Sequence, residues 1–314
     1  MNTLMLLGTV LLACYGLMSL LLAGVLALLW PTVRRRVASA TASVDLLGLR
    51  LLPSMGALLL TLTVVLPAFW SQEPRGEQEA AGPVLILLAA FAVACIGLGA
   101  WRAIRACWAA RTVLRLCGFQ ASRGSASGPA VHIIDIGRPL VAVIGAWRPR
   151  IVAAHSVKAA CDSYEFRQVL AHEAAHLAAR DNLKRLLLVF APDPLAWTSV
   201  GRAMCAAWQS AAEREADLRA TGDDPRRRLA LASALIKVTR LLGDPKDSRP
   251  ALGLSAAVDD VPARVRVLLG SAQPPPRATL LRWLLGCALA IPLLVLPAYA
   301  PLHDFLEVLV RIGR

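Results

Sequence analysis

The sequence predicts a mainly α-helical membrane protein, with four transmembrane helices and an α+β domain inserted between the third and the fourth. Three observations carry this. The 314 residues are 57% hydrophobic with a mean hydropathy of +0.57, above the apolar content of ordinary soluble domains. Charged residues are missing from four long runs, each long enough to cross the ~30 Å hydrocarbon core. Between the third and fourth runs the pattern changes to a charged stretch with short β-prone segments and periodic helices.

Residues 1–33 carry no charged side chain, and Leu4 to Trp30 is one apolar run ending at Pro31. The run is too long for a signal peptide and lacks the basic leader of one, so the first span is placed at about 4–30. Arg34, Arg35 and Arg36 follow. The second uncharged run lies between Arg50 and Glu73, giving a span at 51–72 with Trp70 as an interfacial anchor. The third lies between Glu79 and Arg102, a span at 80–101. Arg102, Arg105, Arg111 and Arg115 then alternate with Trp101, Ile104, Trp108 and Leu114, an amphipathic extension leaving along the membrane surface. These segments make a first region, 1–117. The inserted domain occupies 118–280, the fourth span 281–302 and a short external tail 303–314.

Orientation follows from where Lys and Arg fall. The segment 31–50 has four Arg against one Asp; 71–82 has one Arg against three Glu; 102–282 holds 27 Lys/Arg against 15 Asp/Glu; the tail is neutral. That alternation places the N-terminus outside and the large insert in the cytoplasm. The net charge of +13 is accounted for by topology and an anionic inner leaflet, so the bilayer is the expected partner and direct nucleic-acid binding is not. Seven cysteines are scattered without a C-x-x-C pair. They read as inert buried thiols and not as a disulfide framework.

Inside the insert, Ser122 to Gly128 is a flexible linker. Val131–Asp135, Leu140–Ile144 and Arg150–Ala153 are short β-prone runs separated by Gly and Pro, which predicts a small antiparallel sheet. Its edge either holds a substrate peptide by strand addition or is scaffolding. His132 and His155 flank the sheet without ligand spacing. Asp162 and Glu165 form a capping-box pattern that opens a helix running through Tyr164 to Arg180.

That helix contains His172-Glu173-Ala174-Ala175-His176. Residues four apart lie one above the other, so both imidazoles can reach a single metal ion, with Glu173 beside them to take a proton from the attacking water. A hydrolytic zinc site needs a third protein ligand and one open position. The candidate is Glu213, in a helix expected over Leu195–Arg219. Asp217 is on the same face to brace His172 or His176, and Glu215 faces elsewhere. Asp181 is either another brace or a plain surface carboxylate. The segment Pro194–Trp197 either dips toward the bilayer or is core. Asp224-Pro225 starts a helix ending at Gly243. The three arginines 226–228 oppose its dipole, which suggests headgroup contact. A last short helix runs from Asp260 to Gly270, and Pro274–Pro276 stiffen the approach to the fourth span.

The residues Arg148–Val152, Val169–His176, Arg180–Leu183, Pro194–Trp197 and Glu213–Asp217 together resemble the BlaR/MecR-type integral membrane zinc metallopeptidases, the antirepressor proteases. The resemblance implies a zincin-like cytoplasmic domain holding one Zn2+ through His172, His176 and Glu213, with Glu173 as catalytic base. Ala216 stands where that family usually has Cys, as in the related proteases with E-x-x-A-D. The resemblance also implies a bacterial cytoplasmic (inner) membrane and a cytoplasmic repressor as protein substrate. No penicillin-binding sensor domain follows the last span, so β-lactam sensing by this chain is not expected.

The expected activity is therefore a membrane-embedded zinc endopeptidase cutting cytoplasmic or juxtamembrane proteins. Tyr164, His155 and Arg264 are candidates for the oxyanion donor. The alternatives are a non-proteolytic signal-transducing module and a quality-control membrane protease.

Overall fold

The computed structural model describes residues 3–37, 42–72, 81–116, 131–136, 138–242 and 261–270. The expected fourth span at 281–302, the tail, the linker 122–128, the acidic loop 73–79 and Pro274–Pro276 lie outside the described residues. The described residues within Met1–Ala103 and Leu188–Cys205 form one compact unit, and those within Ile104–Leu187 and Ala206–Arg277 a second.

The first unit is built on α1 (Thr3–Val37), α2 (Ser43–Leu60), a π-helical turn (Thr61–Val65), α3 (Leu66–Gln72) and α4 (Pro83–Leu116). Three apolar stretches here are long enough to cross a membrane: Leu4–Arg35, Ser43–Trp70 and Pro83–Arg115. Less than half of each is covered by protein (44%, 39% and 28%). The outward faces present Leu20, Leu28, Leu58, Leu87 and Val93, an apolar surface that calls for lipid. Inward, Leu6, Val10 and Cys14 of α1 pack on Val65, Phe69, Leu85 and Ala89. Gly16 permits this approach: a Cβ there would stand 2.8 Å from the carbonyl oxygen of Leu88, and small residues are how membrane helices come close.

Two helix boundaries differ from expectation. α1 continues through Pro31 to Val37, and α2 starts at Ser43, eight residues before the expected edge of the second span. Asp45 and Arg50, read as loop charges, are both 1% exposed. A span is recognised in sequence by its lack of charge; a charge neutralised by a distant partner defeats that rule. The π-turn follows from local chemistry. Thr61 and Thr63 donate to the carbonyls of Ala57 and Leu59 (2.8 and 2.7 Å), and Pro67 has no N–H to continue the ladder.

The Pro194–Trp197 segment is a 3-10 turn anchored in the first unit by Leu195, with Trp197 45% exposed. Tyr15 Oη donates to Pro192 O at 2.8 Å, Leu195 is 1% exposed, and Trp197 stands edge-on to Phe91 of α4, 6.4 Å between ring centres.

In the second unit, β1 (Val131–Ile134), β2 (Val141–Ile144) and β3 (Arg150–Ala154) form a sheet of order β1-β3-β2. This corrects the expected antiparallel sheet. β2 pairs antiparallel with β3, Val141 facing Ala153, but β1 pairs parallel with it, Val131 facing Ile151. Ile151 to Ala154 are all at most 1% exposed, so β3 takes the central position, where both faces are covered. The order of apolar runs along the chain does not reveal this.

The helices that follow are α5 (His155–Ala160), α6 (Ser163–Ala179), α7 (Asp181–Phe190), α8 (Ser199–Thr221), α9 (Pro225–Leu242) and α10 (Val261–Leu269). The helix expected from Leu195 begins at Ser199 instead, because Thr198 Oγ1 accepts the Gly201 amide at 3.0 Å as an N-cap. Val157, Val169 and Ala234 centre one apolar cluster. Leu231, Ala232, Ala220 and Leu268 centre another, joining α8, α9 and α10. The arginines opening α9 are engaged within the protein. Arg226 lies over the Tyr164 ring, Arg227 pairs with Asp224 at 3.2 Å, and Arg228 donates to the carbonyls of Val267 and Gly270.

Candidate metal centre

α6 carries the first two candidate ligands. Its start is fixed by a reciprocal cap: Asp162 Oδ1 accepts the amides of Tyr164 and Glu165 (2.7 and 2.8 Å), and Glu165 Oε2 accepts the Asp162 amide at 2.9 Å. The alanine-rich turns beyond it are strong helix formers. They bring His172 and His176 onto one face, ring centres 4.7 Å apart and nearly perpendicular. The two Nε2 atoms are 3.1 Å apart.

α6 stops at Arg180, whose φ of 53° is left-handed, a conformation that costs a non-glycine residue ~1–2 kcal/mol. The turn it makes aims the next residue back at the histidines. Asp181 Oδ2 lies 2.7 Å from His176 Nδ1, while Asp181 Oδ1 accepts from Lys184 Nζ at 2.9 Å. Asn182 donates to the carbonyls of Val143 and Gly145 (2.7 and 3.0 Å), tying the start of α7 to β2. The sequence gives no signal for this role of Asn182 except its place directly after Asp181.

α8 supplies the acidic partners. Glu213 Oε2 is 3.4 Å from His172 Nε2, and Oε1 is 3.6 Å from His176 Nε2. One turn on, Asp217 Oδ1 is 2.9 Å from His172 Nδ1. Glu215 turns away and pairs with Arg219 at 2.8 Å. Ala216, the residue of the E-x-x-A-D pattern, is fully buried. Arg264 of α10 enters from the other side, with Nη1 3.0 Å from Glu213 Oε2 and Nε and Nη2 donating to the two oxygens of Asp217 at 2.9 and 2.7 Å.

The electrostatics suit a cation. Burial alone would push the His172 ring down, but the carboxylates of Asp217 and Glu213 outweigh it and hold the ring up at about 10. His176 is raised in the same way by Asp181 and Glu213, again against burial. Burial would raise Glu213, yet contact with the two histidines and Arg264 keeps it well below the usual carboxylate range. The carboxylates around the rings favour positive charge on them.

A dication fits this arrangement. Ligand atoms of His172, His176 and Glu213 all lie within 4.8 Å of one another. Tetrahedral zinc with bonds of ~2.0–2.1 Å sets its ligand atoms ~3.3 Å apart; the two Nε2 atoms are 3.1 Å apart, and the Glu213 carboxylate faces both, Oε2 3.4 Å from His172 and Oε1 3.6 Å from His176. A carboxylate oxygen lies near Nδ1 of each histidine, hydrogen-bonded at His176 (Asp181, 2.7 Å) and 2.9 Å away at His172 (Asp217), which leaves the two Nε2 atoms facing Glu213. Among the described residues this is the group of His, Cys, Asp or Glu side chains so disposed, and it contains no cysteine.

The three candidate oxyanion donors fare differently. Arg264 is at the site. Tyr164 is eight residues before His172, about 12 Å along the helix axis, and its ring is held between the guanidinium groups of Arg167 and Arg226. His155 is exposed at the start of α5, and His132 is buried in β1. Glu173 is half-buried, and among the described residues its carboxylate makes no ion pair or hydrogen bond.

Comparison with protein-family models, with curated proteins and with solved structures gave no match.

Proposed function

We propose that this chain is a membrane-embedded zinc endopeptidase of the BlaR/MecR type, cutting cytoplasmic or juxtamembrane proteins at a bacterial inner membrane. The observation that carries the reading is the convergence of two imidazole nitrogens and one carboxylate, ligand atoms within 4.8 Å of one another, in a chain that also has apolar helices long enough to span a bilayer. Three protein ligands with nitrogen and oxygen donors are the pattern of a catalytic zinc, since a structural site is closed by four.

A zinc ion held by His172, His176 and Glu213 would supply Lewis acidity and a water of lowered pKa. The chain's own residues do the rest. Asp181, hydrogen-bonded at Nδ1, holds the His176 ring, and Asp217 sets a negative charge 2.9 Å from Nδ1 of the His172 ring. Glu173, next in sequence to His172 and untethered among the described residues, would accept a proton from the attacking water and return it to the departing amine. The three other carboxylates near the rings are all held by cations or by the histidines; Glu173 is the one left to move a proton.

The basic insert and the apolar helices support a protein substrate presented near the membrane, and the family resemblance supports a transcriptional repressor. The test is cleavage-site profiling of membrane and cytosolic proteins with the wild-type chain and Glu173→Ala. The variant is expected to keep stoichiometric zinc and to lose proteolysis by ~100-fold or more. Equal cleavage by both overturns the catalytic assignment. Cuts spread across many misfolded membrane proteins, with none in a repressor, would replace the antirepressor reading with quality control.

A further inference from the structure

We propose that Arg264 is a positioning residue: it holds the metal-binding carboxylate of Glu213 in place from α10, and it is not the oxyanion donor. This rests on the zinc reading above and deepens it. Glu213 and Asp217 are four apart on α8, so their negative charges lie on one face and repel. Arg264 spans both. Two of its nitrogens take the two oxygens of Asp217 and the third takes Glu213 Oε2, and its side chain is 5% exposed. A guanidinium is the one side chain with enough fixed donors to serve two carboxylates at once.

The consequence for Glu213 is geometric. With one oxygen held by Arg264, the carboxylate cannot rotate freely about its last bond, and it meets the metal as a preset ligand. Asp217 Oδ1 also lies 2.9 Å from His172 Nδ1, so the same guanidinium sets the carboxylate that stands beside a second candidate ligand. A group with its nitrogens committed to these carboxylates is poorly disposed to follow charge developing on a substrate oxygen.

α10 is itself secured independently of the site. Leu268 and Val265 pack with Leu231, Ala232 and Ala171, and Arg228 donates to the carbonyls at its C-terminal end. Arg264 is therefore presented by a fixed helix.

The experiment uses the full-length chain in detergent, with zinc affinity measured by competition against a chromophoric chelator. Arg264→Met is expected to weaken zinc binding by ~10- to 100-fold. Arg264→Lys, a single point charge, should recover part of that loss. At saturating zinc, peptide cleavage by Arg264→Met should return to within a few-fold of wild type. Asp193→Ala, which breaks a buried ion pair in the first unit, should lower the melting temperature and leave zinc affinity unchanged. Unchanged zinc affinity in Arg264→Met, with kcat down ~100-fold at saturating zinc, would make Arg264 the oxyanion donor and overturn the proposal. An equal loss of affinity in Asp193→Ala overturns it too, since the effect would then be general loss of stability. Failure of the underlying zinc reading shows separately, as a wild-type chain that binds no zinc.

Discussion

Arg50 and Asp193, 143 residues apart in sequence, form an ion pair in which one guanidinium nitrogen lies 3.1 and 2.9 Å from the two carboxylate oxygens, with side-chain exposures of 1% and 0%. The pair fastens the turn between α7 and α8 to α2, and that turn is also bonded by Tyr15 at Pro192 and by Arg102 at Ala191. Removing one partner leaves a buried charge alone. Asp193→Ala is expected to destabilise the protein by about 3–5 kcal/mol, read as a lower melting temperature in detergent. An apolar double replacement of Arg50 and Asp193 should recover most of the loss. A single variant as stable as wild type would show that the pair does not hold the turn.

Asp181 touches the candidate metal site only through His176. Asp181→Asn keeps the shape but removes the charge that holds the ring, and zinc affinity should fall by ~10- to 100-fold. Chelator competition reads the change. An affinity equal to wild type would show that His176 is oriented by something else.

Glu165 joins α6 to α9. Its carboxylate accepts from Ser233 Oγ at 2.6 Å and from Lys237 Nζ at 2.8 and 2.6 Å. Burial would raise its pKa, but hydrogen bonds from Lys237, Ser233 and the Asp162 amide outweigh that and leave it lowered. A folded pKa below the unfolded one contributes stability that is present above ~4.3, the ordinary Glu value, and is lost as pH falls through the folded value. Wild-type stability should therefore drop across that acid range, and Glu165→Gln should flatten the drop. Parallel acid profiles for the two proteins would contradict this assignment.

Gly201 sits in the first turn of α8, where an added Cβ would collide with the backbone oxygen of Leu195. Alanine is the better helix former by about 1 kcal/mol, so propensity alone predicts stabilisation. The clash is with backbone, which cannot swing aside. Gly201→Ala should lower the melting temperature, and a rise would mean that the turn gives way.

Part of this architecture was legible in the residues. The spacing of His172 and His176 is a property of any helix, and the Asp162 cap starts that helix wherever it is placed. The uncharged runs marked α1, α2 to α3 and α4, because a bilayer admits little else. Other features were hidden. Nothing along the chain distinguishes Arg50 from a loop arginine until Asp193 is beside it. The β-prone runs do not say that β3 is central, so an antiparallel β1 is expected where the structure has a parallel one. The pairing of Arg264 with Glu213 and Asp217 likewise has no local signal.

Residue order alone carries the types of the candidate ligands, their helical register and the apolar lengths, because these depend on local geometry and on solvent. Which charges meet is a matter of tertiary packing. Long-range pairs such as Arg50 with Asp193, or Arg264 with Glu213 and Asp217, cost desolvation and return it only at one relative placement of distant segments. That placement is set by the packing of the whole core, which no short window of residues contains.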